Sequence, residues 1–344
     1  MTSSSPAAVL FTGVLLYAVF GGADFGSGVW DLAAGDAERG GRLRRLIDHA
    51  IGPVWEANHV WLIFVLVFLT SAFPVAFTAL MQSVSIPLWL AGLGIVLRGS
   101  GFAFRKFSPS LRWARFTGIA FATSSLLTPF FLGTVAGAVV SGRVSVDGAT
   151  GDWAPWLSAT SILGGVLAVA TCTFLAGTFL AAKADQLGLD DLAVRLARQS
   201  LLVGAATGVV VLAGIVPLAL DAETFFDGLT SRGAPFIALS AGAGLASLWS
   251  LRNHRLVIAR SAAVVAVTAV VLGWGAGQYP WVLVDELTLT EAAAAPIVLR
   301  SMLGAAVAVA VLVGPPLVAL FRLADTEASA TDGEGAADHR SASA

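Results

Sequence analysis

A single cysteine, Cys172, stands in 344 residues, so no internal disulfide can form, and the residue reads as a small apolar member of a helix. Charge is scarce as well. Only 12% of residues are charged and 57% are apolar, whereas a soluble domain carries roughly 25% charged residues. With a mean hydropathy of +0.83, the chain reads as a polytopic membrane protein. The net charge of −2 adds little, because where the charges lie matters more than their sum. The sequence contains no phosphate-binding loop, zinc-ligand spacing or catalytic triad. Its basic residues do not cluster as a nucleic-acid footprint would. The N-terminal MTSSSPAAV lacks the basic region of a cleaved signal peptide, so the first apolar stretch is expected to stay with the protein.

What is present is a succession of long apolar runs. A membrane-spanning helix needs about 20 mostly apolar residues, and the runs predict nine. They cover approximately 6–33, 54–72, 76–97, 113–140, 157–182, 200–220, 234–251, 256–277 and 300–322. The expected fold is all-α, two four-helix bundles plus one peripheral helix, in a single transmembrane domain over residues 1–323. Residues 324–344 are polar and low in complexity, and are expected to be a disordered cytoplasmic tail. Gly, Ala and Ser are plentiful in the runs, as close helix packing in lipid favours.

Basic residues set the expected orientation. With the N-terminus outside, the Lys and Arg residues within 39–45, 98–115, 183–198 and 252–260, with Arg322 and Arg340, fall on the cytoplasmic side. Only Arg143, Arg232 and Arg300 of the twenty fall outside. Segment 97–106, LRGSGFAFRK, reads as a basic inner-leaflet anchor, with Arg98 ending the third helix. Segment 183–200 reads as an amphipathic cytoplasmic helix leading into the sixth span.

Against this apolar background a few polar side chains are conspicuous, since a charged group within a span costs a few kcal/mol. In the first helix Tyr17, Gly21, Asp24, Gly28 and Asp31 follow 4-3-4-3 spacing and share a face. The glycines allow close approach of another backbone, so Asp24 is expected to point into protein, in the cytoplasmic half. Asp31 lies near the inner boundary and reads as a solvated end group. In the second helix Glu56 and His59 are three apart, hence neighbours. Glu56 occupies the first turn, where a carboxylate also suits the helix dipole. His59 is the one histidine expected within a span, and no methionine pairs with it. A partner for Glu56 or a proton-relay group fits it better than a haem or metal ligand. Trp55 and Trp61 flank the segment as interfacial anchors or as packing for a cofactor or partner. Ionisable groups from three consecutive helices thus converge on the inner side, where they could hold and pass protons.

At these residues the chain resembles subunit II of cytochrome bd-type quinol oxidases. GGADFGSG (21–28) and IGPVWEANHVWLI (51–63), which includes Asn58, are similar to its first two helices, and RGSGFAFR (98–105) to the signature closing its third. The segments TFLAAKADQLGLDDLAVRLAR and YPWVLVDELTLTEAAAAPIVLRSML resemble later landmarks, so the likeness runs nearly end to end. The resemblance implies a heterodimer in the bacterial-type cytoplasmic membrane with a haem-bearing subunit I, in some cases with a small accessory subunit. Haems b and d and the quinol site would lie in the partner, with no haem, metal or catalytic residue in this chain. Whether a structural quinone or lipid binds here is left open. Glu56 would deliver cytoplasmic protons toward oxygen reduction with Asp24 and His59, supported by Asp31, Trp55, Asn58, Trp61, Arg98 and Arg105. The chain departs from the family pattern at Gly21 and Ala103, where acids are usual, and at His59. Two other readings compete: a proton-coupled transporter with Asp24 and Glu56 as coupling sites, and a pure assembly scaffold.

Overall fold

The structure, a computed structural model, describes residues 4–35, 37–51, 55–105, 111–147, 153–316 and 319. For 37–39, 51, 55–57, 102–105 and 111–117 only the backbone is described. The tail expected to be disordered lies outside the described residues.

The first span is one continuous helix. It runs through α1 (Ser4–Leu16), a π-helical turn at Tyr17–Gly21 and α2 (Gly22–Ala33). Next comes α3 (Ala37–Ile51), inside a stretch that the sequence reading left as a connection. Leu43, Leu46 and Ile47, spaced three and one apart, are buried in one apolar cluster with Leu192, Leu196 and Ala197. One apolar face of a short amphipathic helix thus closes the end of the bundle. The second span is α4 (Trp55–Ala72).

The predicted third span, 76–97, is not one helix. Pro74 starts α5 (Pro74–Ser83), which is bent by 116° from α4. The chain breaks again at Val84, and α6 (Ser85–Arg105) begins there. Pro74 and Pro87 explain the breaks: each fits the first turn of a new helix, where its missing N–H costs nothing. The carbonyl of Ala72 left free at the bend accepts the Ala294 N–H at 2.9 Å. This corner sits in an apolar cluster with Phe68, Phe73, Val84, Trp156 and Leu283.

Then follow α7 (Leu111–Val140), α8 (Ala159–Gln186) and α9 (Asp190–Asp221). The expected amphipathic segment and the sixth span are in fact the end of α8, three linking residues and a single 32-residue α9. A short α10 (Glu223–Ser231) leads to α11 (Ala234–Arg252) and α12 (Leu256–Gln278). The strands β1 (Trp281–Leu283) and β2 (Leu287–Thr288) form an antiparallel hairpin, followed by α13 (Leu289–Ala292). The last helix, α14 (Pro296–Pro316), starts four residues earlier than expected and is almost wholly unburied. Among the described residues seven helices are long and apolar enough to cross a membrane, or eight if the bent α4–α5 pair is one span.

Small residues set the helix spacings. Gly133 on α7 and Gly164 on α8 face each other so closely that a methyl on either would meet the other's carbonyl. Gly26 on α2 is pressed on the Cys172 carbonyl of α8 in the same way. Dispersion and close backbone contact hold helices together in lipid, where apolar burial gives no advantage. Gly92, by contrast, faces open space. Gly26→Ala is therefore expected to destabilise by about 1–3 kcal/mol through overpacking, and Gly92→Ala to be close to neutral. Thermal unfolding of the two variants side by side checks the ranking, and equal midpoints would contradict it.

Candidate functional site

The 3–4 spacing on the first helix turns Asp24 toward α6 and α7 rather than toward lipid. Asp24 is 2% exposed and Arg98 1%. Arg98 Nη2 donates to Asp24 Oδ1 at 2.5 Å and to the Asp24 carbonyl at 2.8 Å. Its Nη1 donates to Ser125 Oγ on α7, and that hydroxyl donates to the Phe121 carbonyl at 2.5 Å. Ser27 Oγ donates to the Asp24 carbonyl at 2.6 Å. The guanidinium also lies over two rings, 4.3 Å from the centroid of Phe121 and 5.2 Å from that of Phe25. Such faces favour a desolvated cation.

Arg98 therefore does not close the third helix at the membrane surface as an anchor. Because α6 starts late, seven more residues follow Arg98 to its end at Arg105, about 10 Å of helix. The side chain belongs to the interior, not to a basic rim at the helix end. Gly28 makes the close approach necessary: a methyl there would collide with Ser125 Oγ and come within 3.1 Å of Arg98 Nη1.

His59 on α4 faces the same cluster. Its ring lies 6.1 Å from that of Phe25 and 6.5 Å from that of Tyr17, and Tyr17 and Phe25 are 6.3 Å apart. Asp24 Oδ2 and Tyr17 Oη are buried and have no hydrogen-bond partner among the described residues. Asn58 is 3% exposed, and Trp61 is half-buried. Glu56 and Trp55 open α4, and Arg105 ends α6; their side chains lie outside the described residues.

Asp31 is not a solvated end group. It is 5% exposed, and Arg44 Nε from α3 donates to its Oδ1 at 2.7 Å, while Arg44 Nη2 donates to the Gly35 carbonyl at 2.6 Å. The structure thus separates two polar centres, Asp24–Arg98 with His59 nearby, and Asp31–Arg44. Sequence reasoning missed Ser125, Phe121 and Arg44. The run Thr123, Ser124, Ser125 inside an apolar helix was the available signal for the first of these. Among the described residues no group of three or more His, Cys, Asp or Glu converges as metal ligands would.

Comparison with known proteins gives a consistent result. The family model for cytochrome bd terminal oxidase subunit II matches residues 4–324. Cytochrome bd ubiquinol oxidase subunit 2 of Bacillus subtilis (strain 168) is 30% identical over 170 residues, 48% of each chain. Cytochrome bd-I ubiquinol oxidase subunit 2 of Escherichia coli (strain K12) is 28% identical over 179 residues, 50% of this chain and 46% of that one. The chain spans about half the length of the curated relatives it matches. A chain in the structure of bd oxidase from Geobacillus thermodenitrificans superposes with a TM-score of 0.76 at 23% identity. The match covers 93% of this chain and 98% of that one, so the fold is shared.

Removing one partner of a buried pair leaves an uncompensated charge, which costs about 3–5 kcal/mol. Arg98→Ala is expected to destabilise by that amount. Replacing both partners by apolar residues, Arg98→Met with Asp24→Leu, should recover most of the loss. Thermal unfolding of the single and double variants checks this, and additive losses would argue that the two side chains act separately.

Proposed function

This chain belongs to the cytochrome bd terminal oxidase subunit II family, and on that premise we propose that it is the haem-free subunit of a quinol:oxygen oxidoreductase. In this reading it supports a haem-bearing subunit I and conducts cytoplasmic protons toward the site of oxygen reduction. The observation that carries it is the buried Asp24–Arg98 pair, in which Asp24 Oδ2 has no hydrogen-bond partner among the described residues. A pair kept only for cohesion would bring every oxygen into a hydrogen bond, because an orphaned buried acceptor costs about 1–3 kcal/mol.

The chain's own residues supply a route. Glu56, in the first turn of α4, is the entry at the inner boundary, and His59 lies one turn deeper. Asp24 is nine residues from the end of α2, about 14 Å along the axis. Arg98 fixes one oxygen of Asp24 and balances its charge, and the other oxygen accepts a hydrogen bond from water carrying the proton. Nine spans, with α6 as the third, keep the N-terminus outside and the basic loops inside. Haems b and d, held by the partner, would supply the redox chemistry. Oxygen reduction consumes protons, so drawing them from the cytoplasm makes the reaction electrogenic without a pump.

The partner has a plausible seat. Val60, Ile63 and Val67 on α4 and Trp89, Leu93 and Val96 on α6 are exposed, and those helices also carry His59 and Arg98. A subunit docked there lies about one helix diameter, 10–12 Å, from the ion pair. Localisation to the cytoplasmic membrane, a small accessory subunit and a structural quinone or lipid belong to the same proposal.

Glu56→Gln and Asp24→Asn in the purified complex are expected to slow quinol-driven oxygen uptake by about tenfold or more, with haem content unchanged, Asp24→Asn also lowering the thermal midpoint because Arg98 loses its charged partner. Oxygen-electrode assays with reduced-minus-oxidised spectra measure both. Wild-type turnover in both variants would remove proton conduction from the proposal, and loss of haem in both would favour a pure scaffold.

A further inference from the structure

The polar face of the first span continues beyond Asp24 to Tyr17, and the backbone there is the π-helical turn Tyr17–Gly21. Side chains on a helix ordinarily lean toward its N-terminus. The Tyr17 ring instead lies along the following turn: a methyl on Gly21 would come within 2.9 Å of its Cε2 and 3.0 Å of its Cδ2. The phenol therefore leans toward the Asp24 turn, across Gly21, which has no side chain to block it. The resemblance to the family implies an acid at position 21. The ring occupies space that an acid at 21 would need.

Two further observations point to use of the hydroxyl. Tyr17 Oη and Asp24 Oδ2 are both buried without hydrogen-bond partners among the described residues. A tyrosine in an apolar setting normally brings its hydroxyl to a partner. The ring of Tyr17 lies 6.5 Å from that of His59, and Phe25, next to Asp24 in the chain, lies 6.1 Å from it. A water between the two oxygens would satisfy both, since such waters sit where buried polar groups converge.

We propose that Tyr17 is a proton-relay residue standing in for the carboxylate absent at Gly21, carrying the route from the Asp24–His59 cluster toward the middle of the membrane. The inference rests on the proton-conducting reading above. As Tyr17 Oη accepts a proton from a hydronium or imidazolium on one side, its original O–H bond breaks and that proton passes to an acceptor on the other. The phenol is neutral before and after the step, no electron moves, and no anion is stranded in the membrane. Gly21 and Tyr17 are thus a matched pair, the missing side chain making room for the ring.

The test uses the complete oxidase complex. Tyr17→Phe keeps the ring and removes only Oη. It is expected to slow quinol-driven oxygen uptake about tenfold, equivalent to about 1.4 kcal/mol on the barrier, and to raise the solvent deuterium isotope effect, with haem content and thermal midpoint unchanged. Tyr17→Ala should be equally slow, and adding Gly21→Asp to it should restore turnover by putting a carboxylate into the vacated space. Wild-type turnover and isotope effect in Tyr17→Phe, while Asp24→Asn and Glu56→Gln are slow, would overturn the relay role and leave the route intact. Wild-type rates in all of these variants would instead overturn the route itself.

Discussion

A positive charge buried on α6 and a negative one buried on α2 oblige the helices around them to come together. Neither Arg98 nor Asp24 can remain charged in an apolar interior alone, so α2, α6 and α7 are fixed by the geometry of one guanidinium. Arginine suits this position better than lysine would. Its planar head addresses the Asp24 carboxylate, the Asp24 carbonyl and Ser125 Oγ at once, and presents its face to Phe121. Gly28 and Gly94 follow from the same demand, since each lets a polar side chain of α7 approach its backbone.

The rest of the bundle is organised around two apolar masses, one at each end of that pair. At one end, α3 shares an apolar cluster with α8 and α9 through Leu43, Leu46 and Ile47. At the other end, the α4–α5 corner, the β-hairpin and α13 pack on Phe68, Phe73, Trp156 and Leu283. Between these plugs the spans touch mostly through Gly, Ala and Ser. Such an arrangement confines polar chemistry to a narrow zone near α2 and leaves α9, α11 and α14 with broad apolar faces for lipid.

Hydropathy made the helices and their apolar character legible, because a span leaves little choice of backbone conformation. The face of the first helix was legible too, and Asp24 is buried on it as its spacing requires. Arg98 was misplaced for a local reason. An apolar run from 76 to 97 conceals a break at Val84, and Pro87, awkward inside one helix but at home in the first turn of another, was the mark that separates them. Asp31 looked solvated because its partner, Arg44, comes 13 residues later on a helix hidden in a charged segment. The apolar residues of α3 at 43, 46, 47 and 50 carried the helical period, yet the arginines between them made the stretch look like a loop. Ser125 could not be singled out, because serine is common in such spans and only the fold brings Arg98 to it.

The two arginines that fasten α3 differ in their surroundings. Arg44 holds Asp31 within the protein, where the acid side chain is 6% exposed; Arg42 holds Asp191 at the surface through two hydrogen bonds of 2.7 and 2.8 Å. Dissolved ions shield charges at the surface far more than those inside. Ionic strength consequently acts on one end of this clasp and spares the other. Because Leu43, Leu46 and Ile47 also share an apolar cluster with residues of α9, the saltiness of the medium loosens only the outer edge of the clasp.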